Sequence, residues 1–127
     1  MVILRRIDDQ CSYGLQYRTH PRELNDFEMV EIAKSSGEQK QFGDSNAFFT
    51  LYNDSYGAAF FVANEEPVAL EVTFELELEN MQIKGEKEGA TEFSFRLAPY
   101  QKSSKIIKTV DTSLGNSLAM SYSYSFD

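Results

Sequence analysis

Residues 68–79 read VALEVTFELELE, and this run constrains the fold more than any other feature of the chain. Val68, Leu70, Val72, Phe74, Leu76 and Leu78 occupy every second position, with Glu71, Thr73, Glu75, Glu77 and Glu79 in the gaps. A period of two is that of a strand with one buried and one wet face. A one-residue slip in pairing would drive the glutamates into the core, so the row fixes the register by staying in water. Charges on the exposed side of a half-buried strand are ordinary, and the row alone is no metal site. A chain built round this element must make a sheet and cover one of its faces.

The same period continues on both sides. Segments 47–52, 57–63, 68–78, 91–97, 104–110 and 117–126 all read as strands, bounded by the turn segments NDSY, NEEP, APYQKS and DTSLGN and the longer GEKEGA. These connections are too short for crossover helices, so the pairing is expected to be antiparallel. The even positions of 68–78 join Phe93, Phe95, Leu97, Leu118, Met120, Tyr122, Tyr124 and Phe126 in the expected core. Apolar parity flips between Leu78 and the pair Met81 and Ile83, which predicts a bulge near Glu79 and Asn80.

Upstream, LNDFEMVEIAKSSG predicts one helix over 24–36. Asn25 is placed to cap it, Glu28 completes a capping box, and Gly37 stands past its end. Leu24, Phe27, Val30 and Ala33 form the expected apolar stripe. In residues 1–20, VILRRI and GLQYR read as short strands with DDQCSYG between them, and His20-Pro21 punctuates because the residue before proline avoids the helical region. The fold class is mainly β: an antiparallel β-sandwich of about eight strands with one short N-terminal helix. The 127 residues suffice for a single core, so 1–127 is expected to be one domain, with its main strands in 46–127.

Charge and cysteine usage narrow the function. Twelve basic against twenty acidic side chains give a net charge of −8, a field that repels phosphate backbones and disfavours nucleic acid as a partner. An anionic membrane is accessible to such a chain only if a cation such as calcium intervenes. Cys11 is the only cysteine, which fits a reducing compartment. MVILRRIDD has too short an apolar run for a signal peptide, and no segment approaches the roughly 20 apolar residues of a membrane span. The expected location is the cytoplasm.

Nothing in the sequence assembles a catalytic constellation. Cys11 and His20 lie in a weakly structured region without a helix N-terminus or a third group to orient them. The chain has no phosphate-cradling glycine loop, zinc spacing or EF-hand loop. It reads as a non-enzyme without a required cofactor. Calcium candidates exist in the turns, since hard cations want several oxygens from converging loops. If consecutive strands run up and down, Asp54, Glu86, Glu88 and Asp111 share one end with Asn53 and Asn116, while Glu65 and Glu66 lie at the other. That arithmetic fails if MQIK forms its own strand, and turns favour Asp and Asn for backbone reasons alone. For a protein partner, the candidate contacts are the tyrosines placed near turns, Tyr52, Tyr56 and Tyr100.

Several phrases in order carry a resemblance: PRELNDFEMVEIAKSSGE, GAAFFVANEEP, FELELENMQI, RLAPYQKSSKIIKTVD and SYSYSF. Over residues 21–127 the chain resembles the non-catalytic, C2-like β-sandwich (domain III-like) that follows the protease core in divergent calpain-type proteins of protists and in small calpain-like proteins. Asn64 near a strand end, the strand running into LENMQI, Pro99 leading a turn, and KIIK closing on Asp111 carry the likeness. It implies a regulatory or protein-interaction module whose partner is a calpain-type protease core. The alternative it implies is a calcium-dependent phospholipid-binding module. The sequence departs from the family in lacking any cysteine-protease core, so no catalytic residue carries over. The dense acidic loop of some members has no counterpart here, since only Glu65 and Glu66 adjoin.

Overall fold

A computed structural model describes Asp9–Cys11 and residues 23–127, and within them the chain forms two antiparallel sheets. The strands are β1 (Asp9–Cys11), β2 (Glu38–Gln41), β3 (Phe48–Asp54), β4 (Gly57–Ala63), β5 (Leu70–Glu79), β6 (Met81–Ile83), β7 (Glu92–Leu97), β8 (Lys102–Thr109) and β9 (Ser117–Phe126), with one helix, α1 (Asp26–Ser36). A four-stranded sheet has the order β1-β9-β5-β7, and a five-stranded sheet the order β2-β3-β4-β8-β6. The antiparallel sandwich with one helix is therefore the observed architecture. The expected strands VILRRI and GLQYR lie outside the described residues, and β1 falls within DDQCSYG, the expected connection between them.

The opening alternation is realised in β5. Leu70, Val72, Phe74 and Leu76 are buried, while Glu71, Glu75, Glu77 and Glu79 are exposed. Its partners obey the same rule, since Phe93 and Leu97 of β7 and Leu118, Met120, Tyr122 and Tyr124 of β9 point inward. Phe74 lies at the centre of an aromatic cluster, with ring centroids 5.1 Å from each of Phe49, Phe60 and Phe93. Edge, tilted and stacked contacts of this kind add to the area that the rings remove from water.

The centre of the five-stranded sheet, β3 and β4, is covered on both faces, which erases the alternation there. All seven residues of β4 are buried. Phe60 and Val62 face the other sheet, whereas Ala59, Phe61 and Ala63 meet Leu24, Met29 and Ala33 of the helical segment. Small side chains on both sides let the helix lie close to the strand. The helix begins as the sequence requires: Glu28 N–H donates to Asn25 Oδ1 (2.8 Å) and Asn25 N–H to Glu28 Oε1 (3.1 Å), a capping box worth about 1 kcal/mol. At its end Gly37 has no room for a Cβ, which would stand 2.5 Å from the Ala33 carbonyl oxygen and 2.9 Å from that of Leu51.

Three expectations need correction. Of the stripe Leu24, Phe27, Val30 and Ala33, the helical segment buries Leu24 and Ala33 and half-buries Val30, but Phe27 is 73 % exposed and Met29 is buried in its place. Each three-residue step falls about 60° short of a full turn, so a strict period of three walks off the face. The parity flip at Glu79 and Asn80 is not a bulge. There the chain leaves the four-stranded sheet and enters the other as β6, with Asn80 in the left-handed region at φ 60°. Val68 and Val110, placed in strands by periodicity, lie outside them and are exposed.

Candidate interaction surface

The strand directions give the sandwich two ends. One carries the β4–β5 and β7–β8 connections, and Asn64 holds the two together. Its side chain is fully buried, and Nδ2 donates to the carbonyls of Val68 (2.8 Å) and Ala98 (3.0 Å). Its Oδ1 accepts from the Glu66 N–H (3.2 Å), and its own N–H donates to the Gln101 carbonyl (2.9 Å). Over 98–101 the chain makes a tight turn closed by Gln101 N–H to the Ala98 carbonyl (3.0 Å). Pro99 takes the second position, where its fixed φ is suited, and Tyr100 takes the third at φ 62°. That is the type II pattern, whose third position ordinarily belongs to glycine. A tyrosine there is strained, by roughly 1–2 kcal/mol, and its side chain is 62 % exposed. Val68, 37 % exposed, sits on the neighbouring connection.

The opposite end gathers Asp54, Asn116 and Thr109. Asp54 is fully buried, and its carboxylate accepts from the Tyr52 hydroxyl (3.0 Å) and from the N–H groups of Tyr56 (2.8 Å) and Gly57 (3.1 Å). Asn116 Nδ2 donates to the Asp54 carbonyl (3.0 Å) and to Thr109 Oγ1 (2.7 Å). Asn53 Nδ2 lies 3.4 Å from Asn116 Oδ1. This network holds the β3–β4 hairpin to the β8–β9 connection. Asp111, expected nearby, is exposed and turned to its own loop; the Ser113 hydroxyl and then the Ser113 N–H hold its carboxyl below the usual carboxylate range.

The remaining calcium candidates do not join them. MQI does form its own strand, so the following loop runs back along the flank: Glu86 pairs with Lys105 (3.1 Å), the register partner of mid-strand Phe60, and Glu88 is exposed. At the far end Glu65 pairs with Lys102 (3.7 Å), and Glu66 accepts from the Asn46 N–H (2.6 Å). Among the described residues no three His, Cys, Asp or Glu side chains are grouped so as to hold a metal ion. Cys11 lies in β1, and His20 lies outside the described residues.

Of the candidate tyrosines, only Tyr100 is well exposed. Tyr56 is half-buried in the β3–β4 turn. Tyr52 is not at a turn tip: it is 2 % exposed, inside β3 and beneath the helix. A second exposed apolar group, not expected from the sequence, is Phe27, at the start of the helix beside a charged cluster. There Asp26 bonds to Lys84 and lies 2.9 Å from Lys108. The Lys84 hydrogen bond, with a smaller share from Lys108, holds the Asp26 carboxyl below its ordinary range against the opposing effect of burial. The aromatic at the second helical position was visible in the sequence, and helical geometry alone turns it away from Met29 and Ala33.

No helix among the described residues is long and apolar enough to cross a membrane. No protein-family model, curated protein or solved structure matches the chain.

Proposed function

We propose that the chain is a non-catalytic interaction module that docks a protein surface against the Tyr100 turn. The carrying observation is that a tyrosine takes the turn position suited to glycine and projects its ring into solvent. Strain of this kind is retained when the surroundings over-determine it, and Asn64 supplies that constraint from beneath. Tyrosine brings a large, stiff contact area with a polar tip, which is why it recurs at interface hot spots. The resemblance in residues 21–127 supplies the partner class, a calpain-type protease core, and that choice rests on the sequence phrases alone.

The test is a calorimetric titration of the chain against a separately purified calpain-type protease core, in calcium and in chelator. Tyr100→Gly relieves the backbone and removes the ring, so it is expected to weaken binding by roughly tenfold or more while the domain stays folded. Unchanged affinity in the variant, or no heat with the wild type, overturns the reading. Binding of anionic vesicles in calcium with no binding to the core would favour the calcium-dependent phospholipid module instead.

A further inference from the structure

Independently of that partner, we infer that two copies of the chain pair through the outer edge of β7, which has no neighbouring strand among the described residues. β7 ends the four-stranded sheet. The Leu76 N–H donates to the Thr91 carbonyl (2.7 Å), which sets the phase of the β5–β7 ladder. Phe93, Phe95 and Leu97 then direct their main-chain groups toward β5, and Glu92, Ser94 and Arg96 direct theirs outward. Three N–H and three carbonyl groups are thus offered to a further strand.

The other edges among the described residues are poorer templates. β6 and β1 have three residues each, and β2 has four, all polar, one of them a lysine. Short length and lysine are the usual devices that blunt an edge. β7 has six residues, EFSFRL, with neither lysine nor proline, and Phe95 is only partly buried against the core.

The sequence of β7 complements itself when reversed. Antiparallel pairing about a two-fold axis at Ser94 sets Glu92 opposite Arg96 of the second copy, Phe93 opposite Phe95, and Ser94 opposite Ser94. Two Glu–Arg pairs and two Phe–Phe pairs result, with all six outward main-chain groups of each β7 bonded. The other two-fold registers are worse. Centring on residue 92 or 96 sets like charges face to face, and centring on 93 or 95 pairs each charge with serine or with nothing charged. Like charges directly opposite destabilise a strand pair and opposite charges stabilise it, so charge selects the Ser94 register. Within one chain Glu92 lies opposite Glu75, and a cation from the second copy offsets that repulsion. Arg96 already meets Glu71 (3.1 Å) and Asp127 (2.9 Å), which hold the guanidinium at the strand for Glu92 of the second copy. The pair is isologous, so it closes as a dimer and does not grow into a fibre.

Sedimentation equilibrium of the full chain, from low micromolar to several hundred micromolar, tests this. The wild type is expected to pass from monomer to dimer across that range. Glu92→Arg gains Glu75 within its own chain but sets Arg against Arg96 across the axis, so it is expected to weaken the dimer by roughly tenfold or more. Arg96→Glu does the same with opposite sign. Mixing the two variants restores both Glu–Arg pairs, and a heterodimer is expected where neither variant associates alone. A wild type that stays monomeric, a dimer indifferent to Glu92→Arg, or a mixture that fails to associate overturns the proposal. If Arg96→Glu does not fold, as read by its thermal melt, Glu92→Arg alone decides.

Discussion

Replacing Asn64 by alanine should remove the tie between two connections at one end of the sandwich. The side chain is fully buried and makes three good hydrogen bonds, to the Val68 and Ala98 carbonyls and from the Glu66 N–H. Alanine leaves those partners without it, though all three bonds are only part-buried and water can reach some of the groups left behind. At about 1–3 kcal/mol for each buried group left unpaired, with that discount, the loss is about 3 kcal/mol. For a chain of this size it corresponds to a fall in melting temperature of roughly 10 °C. The backbone bond from Asn64 N–H to the Gln101 carbonyl survives, so the sandwich itself should persist. Asn64→Asp is the sharper perturbation, because it keeps the shape and exchanges the donor for an acceptor. Its carboxylate would face carbonyl oxygens, and burial would raise its pKa above the unfolded value of about 3.9. A raised pKa means the folded state holds the proton more tightly, so the penalty is absent below the unfolded pKa and grows as pH rises toward the folded one. Scanning calorimetry from pH 4 to pH 7 should therefore show the Asp variant falling progressively further below wild type. A melting temperature for Asn64→Asp equal to wild type at neutral pH would refute the reasoning, as would a loss for Asn64→Ala of under about 1 kcal/mol.

Gly57→Ala should be severe: its Cβ would stand 2.3 Å from the Ile107 carbonyl oxygen at a φ of +155°. A loss above about 3 kcal/mol is expected, read as the urea midpoint, and a midpoint near wild type would show that β8 can shift aside. At Asn80, φ 60° favours glycine over alanine, so Asn80→Gly should be the more stable of the two variants by about 1 kcal/mol, while both melt below wild type because the bonds to Asp111 are lost. Asp26→Asn bears on acid stability. The wild-type carboxyl is held low, so its contribution is present above the unfolded pKa and fades as pH falls through the folded one. At this part-exposed site it amounts to under about 1 kcal/mol, and the variant's urea midpoint should fall less steeply with acid than wild type's; identical slopes would remove Asp26 from the account.

How much of this was legible depended on how many faces of each strand meet water. β5 and β9 belong to a sheet whose outer side carries glutamates and serines, so their alternation survives in the sequence and names the core directly. β3 and β4 lie between the other sheet and the helix, and Tyr52 is buried by residues some twenty positions earlier, a contact that no local period encodes. β2, EQKQ, has no apolar residue at all; it is a strand because β3 offers it an edge, from Glu38↔Leu51 to Gln41↔Phe48. The step at Asn80 was detectable as a parity flip, yet a bulge and a change of sheet leave the same trace. Tyr100 could be picked out because Pro99 marks a turn, but the left-handed φ comes from its place after that proline and from the Asn64 tie.

The glutamates of β5 accordingly serve register. Glu71 finds Arg96, but Glu75 faces Glu92 across the ladder, an arrangement that favours solvent over enclosure. Specificity of the fold lies instead in how the chain passes between sheets. The β4–β5 and β7–β8 crossings meet at Asn64, and the β5–β6 and β8–β9 crossings meet at Asn80, whose side chain bonds both the N–H (2.9 Å) and the carbonyl (2.8 Å) of Asp111. Asparagine suits both places because one amide donates and accepts, and at Asn80 it also tolerates the left-handed backbone. Hydrophobic alternation chooses which face of a strand turns inward but leaves open which sheet a strand joins. One asparagine at each end of the sandwich narrows that freedom by tying two crossings together, and Asn64 leaves the Tyr100 turn fixed to the body of the protein instead of free to collapse onto it.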